Sequence, residues 1–353
     1  PMDPAASVDS DNDGYPDAWH PGMTEADSTT GLTLDAYPAD TACYLPGHGN
    51  GAMCDVTATM PDYVPASVSV DGAGVLHLFS PHNNRVFRWD SVNEQHLNPL
   101  VVGVAGWQRS EKPTTMMHHA GHNRLYFGYE SGQINYIDLA GDTGEVHYAT
   151  LSLPVRGLAD VGNFLLTQDD TGAWESHHIF DADGVLKASR EWNHYSRVYS
   201  FNPALGRVYY FRDGSSPNDL MYEDINQATG EITAYGDSPY HGEYNIKPPI
   251  RTSVDGSRVV LGSGDVFSGP DLTWIGNYSG GANDFTDAVW LADGRLVTIR
   301  PDGADTALEI FNPSFGVDAS SVVPNAPVAI RRHGDNVVVV TGGARPTVTV
   351  VTP

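Results

Sequence analysis

The sequence predicts an all-β fold, a seven-bladed β-propeller with an N-terminal calcium-binding extension. The main observation is a repeated pattern: a turn glycine, then an apolar run rich in β-branched and aromatic residues, then a polar break. The steps between successive turn glycines are 49, 41, 44, 50, 38 and 40 residues, and a four-stranded blade with its turns takes roughly 40 to 50 residues. The pattern occurs seven times, at Gly72, Gly121, Gly162, Gly206, Gly256, Gly294 and Gly334.

The apolar runs after these glycines are the predicted second strands of the blades. Their nearly continuous apolar character is typical of strands buried on both faces, as inner strands are between two neighbouring blades. No segment has a convincing helical period. The runs are residues 75–79, 124–127, 163–166, 207–211, 258–261, 295–299 and 336–340.

The last blade is predicted to lack an outer strand. After Gly334 only two strands follow, near residues 336–341 and 347–352. Residues 56–60 are β-prone, and we expect them to pair outside the last strand, which closes the ring and removes an exposed edge. We therefore divide the chain into an N-terminal segment, residues 1–55, and the propeller, residues 56–353.

The chain is strongly acidic. Its 44 Asp and Glu residues against 19 Lys and Arg give a net charge of −25, and no basic stripe offsets it, so we predict no nucleic-acid partner. No stretch approaches the roughly 20 consecutive apolar residues of a membrane span, so we predict no membrane insertion. Residues 1–84 contain twelve acidic residues and no Lys or Arg, which favours a cation site in this region.

The segment that starts at Asp9 has the spacing of a calcium-binding loop. Ca²⁺ prefers roughly six to eight oxygen ligands, which alternate residues of a tight loop supply together. An EF-hand would have a bidentate Glu at position 12, where this chain has His20, a poor calcium ligand. A solvated turn is the alternative, but carboxylates this close repel one another unless a cation neutralises them. Carboxylates at positions 1, 3, 5 and 9, a glycine at position 6 and a carbonyl at position 7 come from Asp9, Asp11, Asp13, Asp17, Gly14 and Tyr15.

This segment resembles the thrombospondin type 3 repeats of bacterial surface proteins. In those repeats such a loop continues into an Asp-Ala-Phe-Pro-x-Asp element, and residues 35–40 here read Asp-Ala-Tyr-Pro-Ala-Asp after a polar insertion, residues 18–34. The resemblance implies structural Ca²⁺ in an exported protein. We expect Asp35 to return to the loop and to complete the ligand shell that His20 cannot.

The two cysteines of the chain are predicted to form a disulfide. Cys43 and Cys54 are separated by ten residues of a loop that contains Gly and Asn, and there is no third cysteine. In the chain-entropy model such a loop contributes roughly 3 kcal/mol, and disulfides persist in oxidising compartments. The alternative is two free thiols in a cytosolic loop. The disulfide favours an extracellular or cell-surface location.

The loops that join second to third strands, and each blade to the next, gather on one side of a propeller, here called the loop face. The longest of them, residues 238–247, mixes aromatic, histidine and charged residues, as sites for sugars or peptides do. We predict a non-catalytic, secreted or cell-surface recognition module that binds a glycan or a protein. The alternative is that these aromatic side chains only pack between blades. The predicted ligand-binding residues are Trp192, His194, Arg212, Tyr240, His241 and Tyr244.

Copper binding is an alternative function. Trp192 and His194 resemble the tryptophan and histidine pair of copper-binding surface proteins of methanotrophs, in which the tryptophan is oxidised to kynurenine. The resemblance implies a second histidine ligand, for which His241 and His82 are the candidates. A cluster at His118 and His119 is not expected, because successive side chains of a strand point to opposite faces.

Glycan cleavage is a further alternative. Asp169, Asp170 and Glu175 lie close together in one loop, and glycoside hydrolysis uses a pair of carboxyl groups. The chain contains no Gly-x-Ser-x-Gly, His-Glu-x-x-His, Cys-x-x-Cys or phosphate-loop motif. We therefore predict that the protein is not an enzyme.

Overall fold

The computed structural model describes residues 3–10, 14–35, 43–45, 48–49, 60–103, 111–141, 144–170, 175–192, 196–212, 218–278 and 284–353. Within these residues the chain folds almost entirely into antiparallel sheets, with two single-turn 3-10 helices, Glu25–Asp27 and Pro81–Asn83. The predicted all-β class is confirmed. No helix in this described part is long and apolar enough to cross a membrane.

Two short hairpins lie in the N-terminal segment. Strand β1 (Ala6–Val8) pairs with β2 (Ala18–Trp19), and β3 (Cys43–Leu45) pairs with β4 (His48–Gly49). Because Val8 lies opposite Ala18, the first hairpin brings together the two ends of the predicted calcium loop.

Seven antiparallel sheets follow one another along the chain and form the blades. Blades 1 and 2 comprise β5 (Ser67–Val70), β6 (Val75–Ser80), β7 (Arg85–Asp90), β8 (Gln95–Val101), β9 (Pro113–His119), β10 (Arg124–Tyr129), β11 (Gln133–Asp138) and β12 (Val146–Thr150). Blades 3 and 4 comprise β13 (Val155–Asp160), β14 (Leu165–Asp169), β15 (Glu175–Phe180), β16 (Leu186–Trp192), β17 (Tyr199–Asn202), β18 (Arg207–Phe211), β19 (Leu220–Ile225) and β20 (Ile232–Asp237).

The remaining blades continue this order. Blades 5 and 6 comprise β21 (Ile250–Thr252), β22 (Arg258–Leu261), β23 (Asp265–Ser268), β24 (Trp274–Asn277), β25 (Asp287–Trp290), β26 (Leu296–Asp302), β27 (Asp305–Phe311) and β28 (Val317–Val323). Blade 7 comprises β29 (Pro327–His333), β30 (Asn336–Thr341) and β31 (Thr347–Val351). The first strands of neighbouring blades contact one another in a closed cycle, which places them around a central channel. The predicted number of blades is confirmed.

A separate apolar core lies between each pair of neighbouring blades. Strand β18 shows how one strand serves two cores. Val208 packs with residues of blade 3, whereas Tyr209 and Phe211 pack with residues of blade 5, because successive side chains point to opposite faces. The second strands are therefore apolar at nearly every position, as the sequence predicted.

The ring closes between blades 7 and 1. Leu76 and Leu78 of blade 1 share a core with Val338 and Val340 of blade 7, and Met60 is buried in the same core. Blade 7 has three strands within the described residues. Residues 56–59 lie outside the described part, so their pairing with the last strand stays a prediction.

A buried carboxylate joins the first strands of three consecutive blades. Asp287 of blade 6 forms ion pairs with Arg251 of blade 5 and Arg331 of blade 7, both at 2.5 Å. Arg331 Nε also donates to the Val68 carbonyl of blade 1 at 2.7 Å. Burial alone raises the pKa of Asp287, but the two guanidinium groups outweigh it and hold that pKa below its ordinary value. These contacts link blades 5, 6, 7 and 1 at the channel.

Candidate functional site

Hydrogen bonds to two of the predicted calcium ligands organise the N-terminal loop. Asp9 Oδ2 accepts a hydrogen bond from the Gly14 backbone N–H at 3.0 Å. Gly14 has a φ of 98°, a conformation that glycine adopts at low cost. Asp17 Oδ2 accepts hydrogen bonds from the Ser10 hydroxyl and from the Ser10 backbone N–H, the latter at 3.1 Å. One oxygen of each carboxylate therefore fixes the loop.

The second oxygen of each of these carboxylates has a different environment. Asp9 Oδ1 and Asp17 Oδ1 are buried and have no hydrogen-bond partner among the described residues. Buried polar atoms normally have a partner, because an unsatisfied one costs free energy. Carboxylate oxygens are the ligands that a hard cation such as Ca²⁺ prefers. The described residues of this loop therefore fit a calcium ion.

Asp35 lies next to the same loop. Its backbone N–H donates to the Pro16 carbonyl at 2.8 Å, and the residue is only 6 % exposed. The ring of Tyr15 stacks on Tyr44 with the two centroids 3.8 Å apart, so the loop also packs against the second hairpin. Two further predicted ligands, Asp11 and Asp13, lie outside the described residues.

The predicted disulfide falls partly outside the described residues. Cys43 begins β3, whereas Cys54 belongs to the part of the chain that the structure does not describe. The Cys43 to Cys54 bond stays a prediction.

Three aromatic side chains form a cluster where the loop between β20 and β21 crosses the outer strand of blade 5. The ring centroids of Tyr240 and Tyr244 are 4.7 Å apart, and Tyr244 stacks on Trp274 at 5.5 Å with an interplanar angle of 15°. The Trp274 backbone N–H donates to Tyr240 Oη at 3.1 Å. We call Tyr240, Tyr244 and Trp274 the rim cluster. The two tyrosines are half-buried, whereas Trp274 is 39 % exposed.

The side chain of His241 contacts Asp219, a residue that the sequence did not point to, and the backbone of Arg212 pairs with the backbone of the same residue. His241 Nδ1 lies 2.9 Å from Asp219 Oδ2, and the Arg212 backbone N–H donates to the Asp219 carbonyl at 2.9 Å. The strand pairing of β19 with β20 brings Asp237 to the same end of blade 4. Four of the six predicted ligand-binding residues thus lie in one region: Arg212, Tyr240, His241 and Tyr244.

The described residues do not test the predicted copper site. Trp192 ends β16, and His194 lies outside the described residues. His82 belongs to the short helix of blade 1, whereas His241 lies between blades 4 and 5, across the ring. At most one of these two histidines could be the partner of His194. Copper binding at His194 stays a prediction.

Of the three carboxylates near this loop, Asp169 and Asp170 pair with basic side chains, whereas Glu175 is buried with one oxygen unsatisfied among the described residues. Asp169 contacts His178 at 3.1 Å, and Asp170 pairs with Arg156 at 2.8 Å. Glu175 is 1 % exposed, and its Oε1 has no hydrogen-bond partner among the described residues. Burial and the nearby Asp170 raise the pKa of Glu175 to about 7.

Comparison with known proteins shows the fold alone. No protein-family model matches the sequence, and no curated protein matches it. Of the 1256 chains of solved structures that match, one is described as the crystal structure of the mitotic checkpoint complex. It shares 10 % sequence identity at a TM-score of 0.57, over 82 % of this chain and 87 % of that chain. A seven-bladed propeller is compatible with a protein-interaction module, but one fold hosts many functions.

Proposed function

We propose that the protein is a calcium-stabilised recognition module of the cell exterior, which binds a glycan or a protein on its loop face. The observation that carries the calcium site is the pair of buried oxygens without partners, Asp9 Oδ1 and Asp17 Oδ1. The resemblance of the segment to thrombospondin type 3 repeats and its lack of Lys and Arg support the same ion. Asp35 would add a third carboxylate to the shell.

A calcium titration tests this site. After removal of calcium with a chelator and dialysis, isothermal titration of Ca²⁺ should give one site with a Kd of roughly 0.1 to 1 mM. Asp17→Asn should weaken binding about tenfold or more, because the substitution removes the ligand charge. Asp62→Asn is the matched control, since Asp62 belongs to the same Lys-free region but is 74 % exposed. The absence of a calcium site in the wild-type protein would contradict the proposal.

The rim cluster supports a recognition surface at the outer edge of the loop face. Trp274 presents an exposed ring that Tyr244 holds in place by stacking. A hydrogen bond from Trp274 Nε1 to Asp265 Oδ1 at 3.1 Å also orients the indole. A rigid aromatic ring next to polar groups suits the apolar face of a sugar or a side chain of a protein partner, because it loses little entropy on binding.

A glycan array, followed by affinity capture of protein partners if no glycan binds, tests this surface. Trp274→Ala should lower the affinity for the ligand about tenfold or more, since hot spots of recognition centre on such residues. Tyr235→Ala is the control, because Tyr235 is 62 % exposed but lies on the outer strand β20, where its ring contacts Arg190 and no ring of the rim cluster. Equal affinity of wild type and Trp274→Ala would rule out the rim cluster as the binding surface.

The state of Glu175 favours a second candidate function, the cleavage of a glycan. A general acid that works at neutral pH needs a raised pKa, and a buried carboxyl beside a second carboxyl provides it. In this alternative Glu175 protonates the leaving group and Asp169 or Asp170 is the second carboxylate. Hydrolysis of a bound glycan that is lost in Glu175→Gln would support cleavage, and a bound glycan that stays intact would exclude it.

A further inference from the structure

We propose that Asp219, Asp237 and His241 bind a divalent transition-metal ion of the zinc class at the end of blade 4. One ligand atom from each of these residues lies within 4.8 Å of the other two. The site goes beyond the proposed function and shares no residue with the N-terminal calcium loop.

Asp219 provides a fixed ligand at the base of the site. Its side chain is fully buried, and its Oδ1 accepts hydrogen bonds from Ser238 Oγ at 2.6 Å and from the Leu220 N–H at 2.8 Å. The other oxygen, Oδ2, faces His241 Nδ1 at 2.9 Å. One carboxylate oxygen is thus held by the protein and the other is directed at the imidazole, as second-shell contacts orient metal ligands.

The negative charge of the two carboxylates in this site favours a bound cation. Asp219 and Asp237 are two carboxylates within a few ångströms of each other, and neither forms an ion pair with a lysine or arginine of the described residues. The Asp237 carboxylate has no hydrogen bond to any residue in that part of the chain. Like charges at this distance raise the free energy of the folded protein unless a proton or a cation lies between them.

The kinds of ligand select the kind of metal. Ca²⁺ prefers a shell made only of oxygens, whereas an imidazole nitrogen with carboxylates suits zinc and its neighbours. Zinc bonds to such ligands are about 2.0 to 2.2 Å long, which puts tetrahedral ligand atoms roughly 3.3 Å apart. The three ligand atoms here lie within 4.8 Å of one another, so rotation of the exposed Asp237 and His241 side chains would bring them to that spacing. Three protein ligands leave a fourth position for water or for an oxygen of a bound ligand.

A zinc titration tests the proposal. Wild-type protein, with calcium at a saturating concentration to fill the N-terminal loop, is titrated with Zn²⁺ by calorimetry. We expect one site, and a loss of affinity of about tenfold or more in His241→Ala and in Asp237→Asn, since even outer-shell changes cost about 10- to 100-fold. Both side chains are exposed, so both variants should fold, which circular dichroism checks.

The control is His147→Ala, which removes an exposed histidine of blade 2 and should leave the Zn²⁺ affinity unchanged. Weak binding at many sites in the wild type, or an affinity that His241→Ala leaves intact, would overturn the proposal. Neither result would bear on the proposals for the calcium site and the rim cluster, because the tests of those proposals use other residues and other probes.

Discussion

Asp287 shows how much a single residue can contribute to a closed ring. Its carboxylate is shared by two arginines from the two flanking blades and is 5 % exposed. Removal of one partner of a buried ion pair is far more costly than the pair's net contribution, since it leaves uncompensated charge in the interior.

Asp287→Asn should therefore lower the free energy of unfolding by about 3 to 5 kcal/mol, measured by urea denaturation. Asp293→Asn is the matched control. Asp293 pairs with Arg295 at 2.7 Å but is 53 % exposed, so its loss should cost less than about 1 kcal/mol. Equal losses in the two variants would contradict the role assigned to Asp287.

Glu175 should make stability fall as the pH rises through neutrality. Its pKa is raised from 4.5 to about 7 in the folded protein, so between these values the folded state holds a proton that the unfolded chain has lost. The stabilisation is fully present below the unfolded pKa and is lost as the pH rises through the folded pKa.

Glu175→Gln should flatten the pH profile of stability between about pH 5 and pH 8. Urea denaturation at several pH values, with calcium saturating throughout, measures the profile. A profile in Glu175→Gln as steep as that of the wild type would show that another group is responsible.

At the scale of elements, the repeated turns between first and second strands are not equivalent. Gly256 has a φ of 72°, and a Cβ there would collide with the buried side chain of Asn202, whose Nδ2 donates to the Gly256 carbonyl at 2.8 Å. Gly72 does not have a positive φ, and a Cβ there would meet no atom within 4 Å.

Gly256→Ala should thus destabilise the protein by about 2 kcal/mol or more, because left-handed backbone alone costs about 1 to 2 kcal/mol and the contact with Asn202 adds to it. Gly72→Ala should change stability by less than about 0.5 kcal/mol. Thermal unfolding of the two variants side by side measures the difference. Similar melting temperatures would contradict the conclusion that the turn at Gly256 requires glycine and the turn at Gly72 does not.

The pattern of turn glycines followed by apolar runs was sufficient to predict the second strands of the blades, with small errors at their ends. The predicted run 207–211 coincides with β18, because Val208 packs into the core on one side of the strand and Tyr209 and Phe211 into the core on the other. The predicted run 163–166 begins two residues before β14. Asn163 belongs to the turn instead, where its N–H donates to Gln227 Oε1 of the next blade at 3.0 Å, a contact between distant residues that periodicity cannot reveal.

The candidate sites were predictable only where their residues are close in sequence. The calcium loop has its ligands at fixed short spacings, so the sequence alone named Asp9 and Asp17. Trp274 and Asp219 were missed because they join Tyr244 and His241 through tertiary contacts across 30 and 22 residues. Nothing in the sequence selected Asp219 from the other carboxylates as the partner of His241.

At the scale of the whole molecule, we expect the seven cores to make the ring one cooperative unit. Each blade contributes to two cores, so no blade can unfold without exposing its neighbours. The core between blades 7 and 1 is the place where the two ends of the ring meet, and Leu78 is fully buried there.

Leu78→Ala should lower the free energy of unfolding by about 2 to 5 kcal/mol in a single transition. Leu165→Ala, a fully buried leucine between blades 2 and 3, is the internal comparison and should behave alike. Differential scanning calorimetry measures both. A separate transition at lower temperature in Leu78→Ala alone would show that the ring opens first between blades 7 and 1. That result would contradict a single cooperative unit.

The N-terminal segment is the part of the molecule on which the proposed location and stabilisation depend. A crystal structure of the protein grown with a few millimolar Ca²⁺, with the ion located by anomalous diffraction, tests this claim most directly. We predict an anomalous peak between Asp9, Asp17 and Asp35, with ligand oxygens at roughly 2.3 to 2.6 Å. An ordered loop without a peak, with these carboxylates bonded to other protein groups, would contradict the account.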